Sequence, residues 1–189
     1  MSRNVLLIAA LVLLAGCETE VVTHVNVRSG LDDYSYNPDD KRVTKEQVFL
    51  ERIQKDPQDA QAWFHLGEYY EASADMPRAA QAYERGNALL GEPCRYTGGH
   101  YLLARVYLRM QDWQASIAHL NEVFKLEPRD PKSATLNQHF REAHYLRGAI
   151  YYLNQNYRQA KHEFLRFVET GGDENRVEDW LEQIRLSGE

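Results

Sequence analysis

The chain is poor in cysteine and in net positive charge, and it has no apolar run of bilayer length. Two cysteines, Cys17 and Cys94, in 189 residues cannot supply a disulfide scaffold. Twenty-two Lys and Arg against 28 Asp and Glu give a formal net charge of −6. That balance excludes the basic stripe needed to neutralise phosphates, so no nucleic-acid partner is expected. The run Val5 to Leu14 holds ten apolar residues, half of the about 20 that a membrane-spanning helix needs. Also missing are His-Glu-x-x-His, Cys-x-x-Cys, Gly-x-Ser-x-Gly, a P-loop and a dinucleotide fingerprint. No catalytic residue, metal, cofactor or small-molecule substrate is therefore expected, and the chain reads as a non-enzyme. The seven histidines read as scattered. His139 and His144 are five apart and do not share a helix face, and His100, His119 and His162 lack a spaced carboxylate partner.

What is present begins with an address. Arg3 and the apolar run after it fit a secretory signal. The run ends in Leu14-Ala15-Gly16-Cys17, which resembles the lipobox of bacterial lipoproteins. That resemblance implies a diacylglycerol-modified Cys17, cleavage just before it, and a signal peptide over residues 1–16. More than one acyl chain would anchor the protein stably. By resemblance to Gram-negative sorting, Glu18 rather than Asp implies the outer membrane, with the domain facing the periplasm. With Cys17 acylated, Cys94 has no partner within the chain. A packed thiol at a turn is the favoured reading; an intermolecular bridge or a nucleophile in an envelope enzyme subunit are the alternatives.

Residues 17–43 form a lipidated tether in this reading. Ser29-Gly30, Asn37-Pro38 and two acidic pairs break any helical period. Such a tether reaches about 30 Å as a flexible coil. Val21, Val25 and Val27 alternate loosely enough to add as a strand to a partner's sheet.

From residue 44 to 189 the pattern is helical. Thr44 and Gln47 suggest a capping box, with Val48, Leu50 and Ile53 on the apolar face of the helix that follows. An internal repeat comes next. When Gly67, Ala104 and Gly148 are aligned, tyrosine stands three residues on in each copy: Tyr70, Tyr107 and Tyr151. Nine on are Met76, Trp113 and Tyr157, twelve on Ala79, Ser116 and Ala160, and sixteen on Tyr83, Leu120 and Phe164. Small residues twelve apart let two antiparallel helices approach, and the large residues fill the space beside the crossing. Each unit is then a helical hairpin that completes its core only by stacking on neighbours.

Trp63-x-x-Leu66-Gly67-x-x-Tyr70 followed by Ala79-x-x-x-Tyr83 resembles a tetratricopeptide repeat. The second copy has His100 where the first has Trp63. The third has His144 there and Arg147 in place of the leucine. The resemblance implies an all-α, short solenoid of about three hairpins plus flanking helices. Residues between Pro131 and Asn137 lengthen a loop or the start of the third hairpin, and a last helix near 174–186 turns Trp180 and Ile184 inward. The resemblance also implies a partner peptide or helix bound on the face of the first helices. Gln61, Phe64, Glu68, Glu71, Tyr101, Arg105, Leu108, Arg109, Glu142, Tyr145, Ala149 and Tyr152 fall on that face. Phe64, Tyr101, Tyr145 and Tyr152 form an aromatic row flanked by Glu68, Glu71, Arg105 and Arg109, residue types that anchor interfaces. The Lys and Asn clamp for a terminal carboxylate is absent from it. The expected role is a lipid-anchored scaffold for envelope proteins, in pilus or secretin assembly or in recruiting cell-wall enzymes. A self-associating structural lipoprotein is a further alternative.

Overall fold

The computed structural model describes residues 44–91, 97–126 and 134–188, with only the helical backbone described over 134–137. The signal segment 1–16, Cys17, the tether 17–43, Cys94 and Pro131 lie outside the described residues. The chain divides into two units between Arg42 and Val43, and everything described belongs to the second.

The first helix, α1 (Lys45–Lys55), starts at the expected capping box. The Gln47 N–H donates to the Thr44 hydroxyl, and the Thr44 N–H donates to the Gln47 side chain at 2.8 Å. Its inward residues are Phe49 and Ile53, one turn apart. Leu50, expected on that face, is 44 % exposed. Phe49 stacks on His65 with centroids 5.5 Å apart, and this contact rotates Leu50 outward by one helical step.

Three hairpins follow: α2 (Ala60–Ala72) with α3 (Met76–Leu89), α4 (Thr97–Arg109) with α5 (Trp113–Lys125), and α6 (Ala134–Leu153) with α7 (Tyr157–Glu169). Helix α1 packs on α2, α3 on α4, and both α4 and α5 on α6. At 20 residues α6 is the longest helix described, so at least part of the extra length in the third repeat is helix.

All three hairpins turn in the same way. The second helices begin at Met76, Trp113 and Tyr157, the large residues nine after the small one. Each is preceded by an N-cap, Asp75, Asp112 or Asn156, whose side chain accepts the N–H two residues into the helix. One residue earlier, Ala74, Gln111 and Gln155 take φ of 59°, 63° and 61°. The N-cap N–H reaches back to Tyr70, Tyr107 or Tyr151, at 2.8, 2.9 and 2.8 Å. The left-handed residue's own N–H bonds the carbonyl of Glu71, Leu108 or Tyr152. One helix's C-terminal closure is thus directly continuous with the next helix's cap.

The crossing is as close as the small residues suggest. A Cβ on Gly67 would overlap the Tyr83 ring, and one on Gly148 would lie 2.7 Å from Phe164. In the middle hairpin Ala104 is fully buried, and the Ser116 hydroxyl donates to its carbonyl at 2.7 Å. The rings sixteen residues on therefore stand where a side chain on the first helix would otherwise be.

The array closes with a 3-10 turn (Glu174–Arg176) and α8 (Glu178–Leu186), not with one continuous helix from 174. Val177, at the junction, is wholly buried, and Trp180 and Ile184 face inward as expected. Among the described residues no helix is long and apolar enough to cross a membrane.

A left-handed non-glycine residue costs about 1–2 kcal/mol, and glycine returns part of this as backbone entropy. Gln111→Gly should therefore raise stability by about 0.5–1 kcal/mol, read as a higher urea midpoint at unchanged slope. A lower midpoint would show that Gln111 makes up its strain elsewhere.

Candidate functional site

Of the residues expected on the face of α2, α4 and α6, the structure brings Glu71, Tyr101, Arg105 and Arg109 together, whereas Phe64, Tyr145 and Tyr152 pack against second helices and the last helix. The first four are tied to one another more tightly than a free groove would require. Glu71, on α2, is 6 % exposed, and Arg105, on α4, grips it with Nε and Nη2, both at 2.7 Å. The Tyr83 hydroxyl donates to the same carboxylate at 2.9 Å, and Arg109 Nη1 lies 3.5 Å from it. Arg105 also stands 5.8 Å from the Tyr101 ring centroid.

An analogous clasp closes the far end. Arg176 donates through Nη1 and Nη2 to Glu142 of α6 at 2.8 and 2.9 Å. Its guanidinium sits 4.5 Å from the Tyr145 centroid and 5.0 Å from that of Phe167. Both pairs are bidentate, and in both glutamate and arginine are 34 residues apart.

The aromatic row is a floor more than a set of projecting anchors. Tyr101 and Tyr145 are only 6 % and 5 % exposed. Tyr101 stacks on His139 at 5.4 Å, and Tyr145 lies against Phe164 and Phe167. Tyr152 is half-buried under the last helix, its ring edge-on to Trp180 at 4.7 Å. Phe64, also half-buried, fills the space a Cβ on Gly86 would need and approaches Tyr83. Leu108, Glu142 and Ala149 are buried as well. The half-exposed polar positions of the face are Glu68 and Arg109, with Glu68 bonded to His65 Nδ1 at 3.0 Å, while the Gln61 amide nitrogen is buried and Arg105 is spent on Glu71. Sequence spacing could not say how deeply these residues sink.

Burial has chemical consequences here. It raises the Tyr101 hydroxyl pKa to about 12, against a partial offset from Arg105. It also holds His139 neutral, with a pKa lowered to about 4 and the Arg105 charge adding to the effect. His139 Nδ1 has no hydrogen-bond partner.

A second set of contacts engages two of the three recurring tyrosines. The Tyr70 hydroxyl donates to Glu46 of α1 at 2.9 Å, and that of Tyr107 to Glu84 of α3 at 2.6 Å. Each reaches a carboxylate on the preceding helix layer. Arg78 reinforces the first, 4.5 Å from the Tyr70 centroid and 3.3 Å from Glu46.

The expectation of scattered histidines is corrected. Four positions before the small residue of each first helix and fifteen after it stand Trp63 and Ala82, His100 and His119, and His144 and Glu163, and in the last two hairpins these side chains meet. In the middle pair the two Nδ1 atoms are 3.2 Å apart. In the last, His144 Nδ1 bonds Glu163 at 2.7 Å, and Arg147 Nη2 bonds the other carboxylate oxygen at 2.8 Å. Burial pushes the Glu163 pKa up, but these two partners outweigh it and leave the pKa below the ordinary glutamate value. The two departures of the third repeat, His144 and Arg147, are thus a matched answer to one buried carboxylate. Among the described residues no group of three or more His, Cys, Asp or Glu could hold a metal ion.

A family model for the tetratricopeptide repeat matches residues 46–88 and 101–172. No curated protein matches the chain.

Removing one partner of a buried ion pair strands the other. Arg105→Met should destabilise the protein by about 3 kcal/mol, whereas Glu71→Met with Arg105→Met should recover most of that loss; urea unfolding of the four-member cycle reads both. His139 gives a pH signature. Its folded pKa lies below the unfolded value, so its stabilising effect is complete above the unfolded pKa, which is about 6.5, and fades as pH falls towards about 4. Between pH 7 and 5 this loss is on the order of 2 kcal/mol. His139→Phe should flatten that part of the stability–pH curve, and an unchanged slope would exclude His139 as its source.

Proposed function

From the membership of this chain in the tetratricopeptide-repeat family, we propose that it is a lipid-anchored scaffold whose first-helix face receives a peptide or helix from an envelope protein. Repeats of this kind serve as protein-interaction scaffolds. The observation that carries the reading is the face itself. Glu71–Arg105 and Glu142–Arg176 fix its elements, while Glu68 and Arg109 stay half-exposed upon it. A rigid floor with polar groups at its surface loses little conformational entropy on binding. Tyr101 and Tyr145 then serve as floor, and Phe64 and Tyr152 add partly exposed aromatic surface.

The envelope location and the anchor at Cys17 rest on the lipobox-like Leu14-Ala15-Gly16-Cys17. The outer membrane follows from Glu18 by resemblance alone. Assembly of a pilus or secretin component is the favoured setting, and recruitment of cell-wall enzymes the second.

Photo-crosslinking residues placed at Glu68 and Arg109, on the face, and at Arg85 and Arg158, exposed on second helices, test the reading in cells. The face positions should yield one shared adduct that the other two do not. Equal adducts from all four positions, or none from the face, would refute it. In parallel, Cys17→Ala should release the protein from the membrane fraction and abolish fatty-acid labelling. Retention of the label would place the anchor elsewhere.

A further inference from the structure

We propose that His100 and His119 form a chelating site for a divalent transition-metal ion, bridging the two helices of the middle hairpin through their Nδ1 atoms. The geometry begins with the bite. With metal–nitrogen bonds of about 2.0–2.1 Å in a tetrahedral arrangement, two nitrogens on one ion stand about 3.3 Å apart. The two Nδ1 atoms are 3.2 Å apart. The helices already hold the two nitrogens at that bite, and binding requires both lone pairs to turn towards a common point.

The surroundings support a metal more than a chance contact. The Tyr107 ring lies parallel to His119, at 5.5 Å and 6°, and fixes its plane from one side. The Tyr107 hydroxyl holds Glu84 nearby at 2.6 Å, and Glu122 follows His119 by three residues on the same helix. Both carboxylates act on His119 electrostatically and favour a cation there.

The proton balance is simple. In the metal-free pair one Nδ1–H donates to the other Nδ1. On metal binding that ring moves its proton to Nε2, and both Nδ1 lone pairs face the ion. No third side chain among the described residues completes the set, so water fills the remaining positions. Such an open two-imidazole site suits Zn²⁺, Ni²⁺ or Cu²⁺ rather than Ca²⁺ or Mg²⁺, which prefer oxygen ligands. The other two hairpins cannot do this at the same place, since they hold Trp63 with Ala82 and a His144–Glu163 ion pair already claimed by Arg147.

The test uses the full, tag-free chain in a non-ionic detergent at neutral pH. Calorimetric titration with Zn²⁺ should show one ion per chain and a raised melting temperature. The spin-resonance spectrum with Cu²⁺ should show two nitrogen donors. His119→Gln and His100→Gln should each weaken Zn²⁺ binding by at least about tenfold and remove the thermal shift, while exposed His162→Gln changes neither. Circular dichroism checks that the variants fold. Should one fail, the other decides, and the Cu²⁺ spectrum needs no variant. No Zn²⁺ binding, fewer than two nitrogens on Cu²⁺, or undiminished binding in the folded histidine variants would overturn the proposal.

Discussion

The close crossing of two antiparallel helices is the constraint on which everything else rests. Gly67 beneath Tyr83 and Gly148 beneath Phe164 bring backbones so near that an added methyl would meet a ring. In the middle hairpin Ala104 meets Ser116 and needs a hydroxyl-to-carbonyl bond to make the approach. Once this distance is set, the turn has no freedom. A left-handed residue followed at once by an N-cap is the shortest closure that satisfies both helix ends, and it recurs at Ala74-Asp75, Gln111-Asp112 and Gln155-Asn156. The crossing also fixes which side chains can meet across the hairpin, and therefore where the histidine pair and the histidine–glutamate pair lie.

Much of this was legible in the sequence because it is local. The small residues, the large residues sixteen later and the aromatic that opens the second helix all lie within one hairpin, where spacing maps directly onto space. The capping box at Thr44 is local too, and it stands as read. Leu50 was misplaced because two apolar residues one step apart compete for one face, and only the stacking of Phe49 on His65 decides between them. The left-handed turn residues were not legible, since none of the three is a glycine.

The links between hairpins were hidden for a different reason. Glu71 with Arg105 and Glu142 with Arg176 span 34 residues each, while the apolar repeat advances by 37 and then 44. The ion pairs therefore do not occupy equivalent repeat positions and leave no trace in the alignment of copies. Nor could spacing reveal depth. Tyr101 and Tyr145 read as anchors because tyrosine can serve either as floor or as contact, and stacking on His139 or against Phe164 and Phe167 decides for the floor.

The facing position across each hairpin shows how one geometry admits three chemistries. In the first hairpin the equivalent positions hold a large and a small residue, Trp63 and Ala82. His100 opposite His119 fills the slot with two rings whose Nδ1 atoms meet. His144 opposite Glu163 fills it with charge, and burying that charge requires the second donor, Arg147, which displaces the leucine found there in the other copies. Both departures of the ionic copy, His144 and Arg147, bond the one carboxylate of Glu163. The degeneracy of the third repeat is thus the structural consequence of a single buried carboxylate, not an erosion of the fold.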